Sequence, residues 1–300
     1  MTMTFGVLAG HGGDWLGDAE LAEALGFDSV WVGDHLLWHT PAPDPAVVLG
    51  ALSARTSRVR IGSGVMLAAL RPPVVIAKQA ATLDLLSGGR FVLGVGAGGE
   101  NPAEFAAAGV DVRERGGRLD ETIAICRALW SRPSATFSGR YYQLREVRFD
   151  LPVATPGGPP IWVGGRSPAA LRRAGRLGDG WLAFAVDPER FAGGWRRVCE
   201  EAERAGRDPA RLTPALQLWC QFAEDTAAAR SALAAAIEAF YRVPFRRFEP
   251  YCLAGDASAW LRRLRTFVDA GVRHFNLIPA SGEVGVQLAQ IAEQVLPALG

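Results

Sequence analysis

The feature that most constrains the fold of this 300-residue chain is a regular alternation between two kinds of segment. Short runs rich in β-branched and aromatic residues recur, and each precedes a longer amphipathic stretch rich in alanine and leucine. The short runs lie at residues 5–9, 29–32, 59–66, 91–95, 161–164, 180–184, 215–222 and 274–278. The helical stretches lie at 18–25, 44–55, 74–86, 114–130, 168–177, 188–205, 226–241 and 286–299, with an extra one at 257–270.

These eight strand–helix units predict a parallel sheet covered by helices, because strands buried on both faces are nearly continuous apolar runs. At this chain length, a closed (β/α)8 barrel, or TIM barrel, fits eight units better than an open sheet. No linker rich in Pro, Gly or Ser divides the chain, so residues 1–300 are predicted to form a single barrel domain. Residues 131–160 and 243–256 break the rhythm and are interpreted as insertions after strands four and seven.

Composition and charge argue against several classes of protein. Hydrophobic residues make up 49% of the chain, and the formal net charge of +1 comes from interspersed acids and bases, which does not favour nucleic-acid binding. No apolar run approaches the roughly 18 residues of a membrane span. The start of the chain, MTMTFGVLAGHGGDW, lacks the features of a secretory leader, and the four cysteines form no CxxC pair. We therefore expect a cytoplasmic protein with free thiols and with no metal, membrane or nucleic-acid partner.

One glycine-rich stretch, LGVGAGGEN, follows the fourth predicted strand. Gly94, Gly96 and Gly99 match the dinucleotide-binding pattern G-x-G-x-x-G, which needs a helix opening on the third glycine and an acidic residue ending a second strand. Here Asn101 and a proline follow, and the next long helical pattern starts only at residue 114. The dinucleotide interpretation therefore fails. In a barrel these glycines either let a ligand approach the strand end or simply form a tight turn.

Three of the four histidines follow predicted strand ends, where a barrel carries its chemistry: His11, His35 and His39. The fourth, His274, opens the last strand and is expected at the opposite, structural end. We consider His35 the best candidate for catalysis, because Asp34 adjoins it and Trp31 and Trp38 are near in sequence. An imidazole suits proton transfer at neutral pH, although a hydrogen-bonded loop residue is the alternative.

Acidic residues and a helix start follow two other strands. Glu100 and Glu104 form either a carboxylate pair above strand four or, more commonly for such acids, a solvated helix start. After strand five, in GGRSPAALRRAG, Ser167 is placed to cap a helix whose first residue is a proline. Free N–H groups at that helix start, with Arg166 beside them, would bind an anion; a capped helix without a ligand is the alternative. No metal-binding motif and no nucleophile elbow is present.

Four segments of the sequence are similar to a known family. They are ELAEALGFDSVWVGDHLL, ARTSRVRIGSGVMLAALRPPVVIAKQAATLDLLSGGRFVLGVGAGG, PPIWVGGRSPAALRRAGRLGDGW and LRTFVDAGVRHFNLIP. Together they resemble the bacterial luciferase-like monooxygenase superfamily, and in particular its branch of F420-dependent oxidoreductases. The resemblance covers nearly the whole chain. It implies a (β/α)8 barrel that binds FMN or the deazaflavin coenzyme F420 at its C-terminal mouth, usually as a homodimer.

The resemblance also implies roles for particular residues. A non-proline cis peptide supports the tricyclic ring in similar proteins, and the matching bond here joins Gly64 and Val65. Asp34 and His35 match an Asp-His pair after strand two, which places His35 near the reactive edge of the ring. Ser167 and the backbone around it match the site of the cofactor phosphate. The other matching cofactor-binding positions are Ala97, Gly98, Gly164, Gly165 and Arg166.

The sequence also departs from the family pattern. Many relatives carry an acidic or bulky residue where Gly99 stands, so a catalytic acid is absent there or shifted to Glu100 or Glu104. The common Arg-His-Pro after strand three is replaced by Arg71, Pro72 and Pro73. The basic residues that bind phosphate in the family's sugar-phosphate dehydrogenases have no match, which argues against glucose 6-phosphate as the substrate.

The resemblance predicts an oxidoreductase that transfers a hydride between F420 and a small, fairly apolar organic substrate. Candidate residues of the substrate pocket are His11, Trp15, Trp31, Trp38, Glu100 and Phe184. One alternative is a two-component monooxygenase that uses FMNH2 supplied by a separate reductase. Another is a flavin-binding barrel without turnover. A barrel hydrolase would need a pair of catalytic acids that the sequence does not supply.

Overall fold

The computed structural model describes residues 3–10, 13–280 and 283–299, and these residues contain twelve β-strands. Nine of the strands, together with the short β4, belong to one parallel sheet that closes on itself. The strands are β1 (Thr4–Leu8), β2 (Ser29–Val32), β3 (Arg60–Ser63), β4 (Met66–Leu67), β5 (Phe91–Gly96), β6 (Ser134–Ser138), β7 (Gln143–Arg148), β8 (Ile161–Gly164), β9 (Gly180–Phe184), β10 (Thr213–Phe222), β11 (Leu253–Gly255) and β12 (His274–Pro279). Parallel pairing runs through β1, β2, β3, β5, β8, β9, β10 and β12, and β12 pairs with β1 to close the barrel. The predicted (β/α)8 barrel is confirmed.

Within the described residues, ten α-helices surround or extend the barrel. They are α1 (Trp15–Ala24), α2 (Pro45–Arg55), α3 (Pro73–Leu86), α4 (Pro102–Ala107), α5 (Arg115–Ser131), α6 (Pro168–Leu177), α7 (Pro188–Arg204), α8 (Thr226–Tyr241), α9 (Ala257–Asp269) and α10 (Val284–Gln294). Several begin in the same way, with a polar side chain that accepts a hydrogen bond from the first turn and a proline at the first helical position. The capping residues of this kind are Asp44, Asn101, Ser167 and Asp187.

The third barrel strand differs from the continuous strand predicted over residues 59–66. It divides into β3 and β4 at Gly64 and Val65, which a cis peptide bond joins. β3 and β4 pair with different parts of β5, so the chain bulges between them. A Cβ atom at position 94 would lie 1.9 Å from the Ser63 carbonyl oxygen, so only glycine at that position of β5 admits the bulge.

Both predicted insertions are present, and each has its own structure. The first contains the antiparallel hairpin β6–β7, whose turn is held by the carboxylate of Glu121 on α5. The second contains two short 3-10 helices, Phe245–Arg247 and Glu249–Tyr251, and then β11, which pairs with the carboxyl end of β10. Helix α4 was not predicted, and it lies in the loop between β5 and α5. Helix α4 thus lies between a barrel strand and its helix, the hairpin lies between α5 and β8, and β11 lies between α8 and α9.

Candidate active site at the carboxyl ends of the barrel strands

The loops after the strands form a mouth in which backbone lies close to open space. Ala97, Gly98, Gly164 and Gly165 are only partly buried or exposed, and they follow β5 and β8, which are neighbours in the barrel. Gly98 and Gly165 have φ angles of +65° and +116°, where a side chain would be strained. The structure therefore brings together four of the positions that the sequence assigned to cofactor binding.

Val65 packs against these glycine-lined strand ends. A Cβ atom at position 96 would lie 2.5 Å from its Cγ2, and one at position 164 would lie 3.0 Å from its Cγ1. Gly64 faces the barrel interior, where a Cβ would lie 3.3 Å from Oε1 of Gln217. The non-proline cis bond that the resemblance implied is present between these two residues, and Val65 presents an apolar surface beside the mouth.

His35 lies just after β2, with a side chain that is 14% exposed. Its ring stacks on Trp38 at a centroid distance of 3.8 Å and an interplanar angle of 18°. Nδ1 lies 3.3 Å from Oε1 of Glu104, and Nε2 lies 4.0 Å from Oε2 of Glu100. The imidazole is therefore held by one carboxylate and one aromatic ring, while Nε2 faces the more open side. This arrangement suits a group that holds or moves a proton.

The two glutamates of the fourth loop differ sharply. Glu100 is 59% exposed, in agreement with a solvated acid, whereas the side chain of Glu104 is 1% exposed. Oε1 of Glu104 accepts hydrogen bonds from the N–H groups of Leu36 and Leu37, at 2.6 and 3.1 Å. The interpretation of Glu104 as a solvated helix start is therefore wrong, because this carboxylate caps the loop that carries His35.

Asp34 is buried and paired. Its carboxylate accepts hydrogen bonds from both terminal nitrogens of Arg71, at 2.5 and 3.0 Å, and from the N–H of Leu67 at 2.8 Å. Burial works to lower the pKa of Arg71, but hydrogen bonds to Asp34 and Asp44 outweigh it, so the net shift is upward. Asp34 thus links the loop after β2 to the segment after β4. Arg71 was noted only as a departure from the family pattern, yet it is the centre of this link.

An aromatic wall stands on the opposite side of the mouth, made of Phe184 and residues near the second insertion. Phe184 is the last residue of β9 and has Tyr241 and Phe248 at centroid distances of 6.4 and 6.3 Å. Tyr241 and Phe248 stack at 4.7 Å, and burial raises the pKa of the Tyr241 phenol, which stays neutral. These partners of Phe184 were not predicted from the sequence. The interleaved aromatic residues of AFYRVPFRRFEPY, at 239–251, are the signal by which they could have been found.

A cavity of about 460 Å³ lies between the His35 loop and the end of α8. Its lining residues are Leu37, Trp38, His39, Glu100, Asn101, Tyr241 and Arg242. In the part of the chain that the structure describes, three buried side-chain atoms of the neighbouring loops have no hydrogen-bond partner: Nε1 of Trp38, Oγ1 of Thr40 and Oε2 of Glu104. Buried polar atoms are normally paired, and of these three residues Trp38 is the one that lines the cavity.

Other candidate residues fall in different places. Trp31 is buried, packs on Trp162 at 4.9 Å and donates a hydrogen bond to Ser29 at the start of β2. Its interpretation as a wall of the mouth is wrong, because its side chain points into the lower barrel interior. Trp15 is partly buried and lies over Gly10, just after β1. His11 lies outside the described residues.

The first turn of α6 is exposed to solvent, as a helix start that binds an anion must be. Ser167 is exposed, and its Oγ accepts a hydrogen bond from the N–H of Ala170 at 3.2 Å. Nη1 of Arg166 donates to the carbonyl oxygen of Ala185 at 2.5 Å, so this side chain is anchored to the loop after β9. Phosphate binding by Gly165, Arg166 and Ser167 stays a prediction.

The described ranges contain neither a metal site nor a helix that could span a membrane. Within residues 3–10, 13–280 and 283–299, no group of three or more His, Cys, Asp or Glu side chains is arranged to hold a metal ion. Over the same ranges, no helix combines the length and the apolar character needed to cross a membrane.

Comparison with known proteins agrees with this geometry. A family model described as luciferase-like monooxygenase matches residues 13–296. The chain belongs to this family. Among solved structures, an F420-dependent secondary alcohol dehydrogenase in complex with an F420–acetone adduct superimposes on this luciferase-like chain with a TM-score of 0.89. That structure is 24% identical and covers 100% of both chains, and this likeness is one of fold.

Two curated relatives add sequence similarity. An F420-dependent glucose-6-phosphate dehydrogenase from Nakamurella multipartita is 33% identical over 312 residues, which cover 94% of this chain and 91% of the relative. A protein of the same name from Beutenbergia cavernae is 42% identical over 179 residues, and there the match spans about half of the relative, 52%. The resemblance to the luciferase-like superfamily and to its F420-dependent branch is thus confirmed.

Proposed function

We propose that this luciferase-like protein is an oxidoreductase that transfers a hydride between coenzyme F420 and a small, largely apolar organic substrate. The observation that carries the proposal is the arrangement of His35, held by Glu104 and stacked on Trp38, at the same barrel mouth as the glycine-lined ends of β5 and β8. The names of the relatives support the choice of F420.

The residues at the mouth fit a deazaflavin. Glycines at the ends of β5 and β8 leave backbone uncovered, and Val65 supplies an apolar surface next to them. The first turn of α6 and Ser167 are placed to hold a phosphate group by free N–H groups. When bound, the deazaflavin supplies a ring carbon that accepts or releases a hydride. We assign Gly64, Val65, Ala97, Gly98, Gly164, Gly165, Arg166 and Ser167 to holding it.

We assign the proton chemistry to His35. Oε1 of Glu104 is a carboxylate acceptor 3.3 Å from Nδ1, so the ring proton of neutral His35 lies on Nδ1. Nε2 is then the atom that exchanges a proton with a substrate oxygen as a carbonyl and an alcohol interconvert. Asp34 supports the loop through Arg71 and does not touch the reacting groups. This revises its prediction as a catalytic residue to a positioning role.

We infer the substrate class from the walls of the mouth. Phe184, Tyr241 and Phe248 form an aromatic wall, and Trp38 lies on the other side. Such walls favour an apolar body with one polar group near His35. The relatives from Nakamurella multipartita and Beutenbergia cavernae are named for glucose 6-phosphate, so that sugar phosphate is the comparison substrate to test.

The decisive experiment titrates the purified protein separately with F420 and with FMN, and then follows F420 reduction or reoxidation with a panel of alcohols, ketones and glucose 6-phosphate. We expect F420 to bind more tightly than FMN and an apolar alcohol or ketone to support turnover. Tight FMN binding without F420 binding would favour the two-component monooxygenase. F420 binding without turnover on any substrate would favour the non-catalytic barrel. If neither F420 nor FMN binds, a barrel hydrolase without a redox cofactor would be favoured instead.

Other features of the protein are proposed from the resemblance and the composition. We propose that residues 1–300 act as one barrel domain, that the protein is a cytoplasmic homodimer, and that a reductase supplies reduced cofactor only in the FMN alternative. Light scattering coupled to gel filtration tests the dimer, since a mass near 32.0 kDa would contradict it.

A further inference from the structure

A second and larger cavity opens at the amino ends of the strands, at the end of the barrel away from the mouth. It measures about 600 Å³, and its lining includes the first residues of several strands: Thr4, Ser29, Arg60, Thr213 and His274. In barrels of this kind the chemistry occurs at the carboxyl ends, and the amino ends serve stability. The proposed function therefore does not use this cavity.

The floor of the lower cavity is neutral and tightly packed. His274 is 3% exposed and contacts the rings of Trp31 and Trp162 at 5.8 and 5.1 Å. Its Nδ1 lies 2.9 Å from Oγ1 of Thr4, and its Nε2 lies 3.4 Å from Oγ of Ser29. Burial lowers the pKa of this imidazole to about 3, so it carries no charge at neutral pH. Any charge in the cavity comes from its rim.

The rim of the lower cavity is basic. Its four arginines are Arg58, Arg60, Arg211 and Arg273. Within the described part of the chain, none of them forms an ion pair with a carboxylate. Arg58 and Arg273 donate to main-chain carbonyl groups, which orients their guanidinium groups without neutralising them. By contrast, the partly buried Arg71 is paired with Asp34, and the buried Arg173 is paired with Asp120.

Among the described residues that line the cavity, Asp28 is the only acid. Its carboxylate accepts a hydrogen bond from the N–H of Phe5 at 2.7 Å, at the edge between β1 and β2. The lining itself therefore carries four guanidinium groups and one carboxylate, while the carboxylates of Glu23 and Asp208 lie beside it and accept hydrogen bonds from main-chain N–H groups. Arg60 pairs in register with Ser29, whose hydroxyl contacts His274, so one of these charges lies next to the floor.

We propose that this lower cavity binds a small phosphorylated molecule, with its phosphate groups on the arginine rim. Guanidinium groups form paired, charge-assisted hydrogen bonds with phosphate oxygens, and the Thr213 side chain lines the same opening. The volume lies within the range of ordinary small-molecule sites and exceeds what a bare phosphate fills. The site is separate from the mouth, so the test of this proposal does not depend on the proposed function.

The experiment uses isothermal titration calorimetry of the full-length protein at low ionic strength, with inorganic pyrophosphate and with ADP as probes. We expect wild-type protein to bind both, and the double variant R60Q/R211Q to bind them about tenfold or more weakly. The single variant R211Q lies on an exposed 3-10 helix and is the fallback if the double variant does not fold. Tighter binding of ADP than of pyrophosphate would show that the organic body enters the cavity.

Two matched double variants separate this site from diffuse charge and from the mouth. R262Q/R265Q removes two exposed arginines of α9 that do not line the cavity, and should bind the probes like wild type. R166Q/S167A removes the phosphate site proposed at the start of α6, and the part of the binding that R60Q/R211Q abolishes should remain in it. The proposal is overturned if wild type shows no binding, if R262Q/R265Q loses as much affinity as R60Q/R211Q, or if only R166Q/S167A loses it.

Discussion

At the mouth, the loop after β2 is fixed by charged side chains that have partners, whereas the four arginines that border the lower cavity have no carboxylate partner in the described structure. At the mouth, Arg71 joins Asp34 to Asp44, and the buried carboxylate of Glu104 holds the His35 loop. At the other end, arginines such as Arg60 remain unpaired in the described structure. Paired charges orient loops for chemistry, while unpaired charges remain available to a ligand.

The two histidines at these ends show how the surroundings decide what one residue type does. His35 lies between two carboxylates, and its Nε2 faces the more exposed one, that of Glu100. His274 is enclosed by Thr4, Ser29 and two tryptophans, and burial lowers its pKa to about 3. We therefore propose proton transfer for His35, whereas His274 is a neutral, packed side chain.

The largest expected effect separates these two histidines by activity. Replacing His35 by Ala should lower F420-linked turnover about 10²- to 10⁴-fold, because the group that exchanges the substrate proton is lost. H274Q changes the histidine at the opposite end of the barrel and should keep turnover near that of wild type. Steady-state rates and F420 affinities of both variants give the test. Wild-type turnover in H35A would remove this residue from catalysis.

The next effect compares the two glutamates of the fourth loop by stability. Glu104→Ala should lower the free energy of unfolding by about 2–4 kcal/mol, because the N–H groups of Leu36 and Leu37 lose their acceptor. Glu100→Ala, at an exposed position, should change it by less than about 0.5 kcal/mol. E104Q keeps an acceptor oxygen and should recover part of the loss. Equal urea midpoints for E104A and E100A would contradict the buried role of Glu104.

A smaller effect on the free energy of unfolding tests the contact between Val65 and Gly96 at the mouth. Gly96→Ala should cost about 1–3 kcal/mol, because the new Cβ would lie 2.5 Å from Cγ2 of Val65. In a Val65→Ala background the nearest atom becomes Cβ of residue 65, at 3.6 Å, so the same substitution should cost far less. A double-mutant cycle of unfolding free energies measures this coupling. Additive costs would show that Val65 does not lie against Gly96.

The smallest effect concerns the pH dependence of stability. In the folded protein the pKa of His274 is lowered to about 3, whereas in the unfolded chain it is about 6.5. As the pH falls below about 6.5, His274 therefore takes up a proton only in the unfolded chain, and the free energy of unfolding decreases. Between pH 7 and pH 5.5, this histidine should remove about 1 kcal/mol of unfolding free energy. H274Q should lack this part of the decline.

Trp162→Phe is the control for that pH experiment, since it alters the packing against His274 without removing a titrating group. Its stability should change by the same amount at both pH values. If H274Q and wild type lose the same free energy between pH 7 and pH 5.5, the imidazole is not buried in its neutral form.

Much of the fold was predictable, because it depends on periodicity. Eight apolar runs, each followed by an amphipathic stretch, predicted the barrel, and both insertions were found where the rhythm breaks. The division of the third strand was not visible from composition. It depends on Gly94 of the neighbouring strand, whose missing Cβ makes room for the Ser63 carbonyl group. Such a contact joins residues about thirty positions apart in the chain.

The candidate site was predictable only in part. His35, Phe184 and the glycine-lined positions lie at the mouth, as expected from their places after strands. Trp31 was placed wrongly, because alternation along β2 turns its side chain into the barrel interior. Glu104 was taken for a solvated acid, because nothing near it in sequence shows that the His35 loop folds over it.

Local chemistry in the sequence determined the order of strands and helices, the capped helix starts and the set of residues that follow strand ends. Only the tertiary structure decided which charged groups have a partner. Asp34 forms an ion pair with Arg71, and Glu104 accepts hydrogen bonds from the His35 loop. The arginines of the lower rim contact no carboxylate in the described residues. The physical reason is the distance along the chain over which each effect acts. Periodicity and capping act over a few residues, whereas burial and ion pairing depend on groups that closure of the barrel brings together.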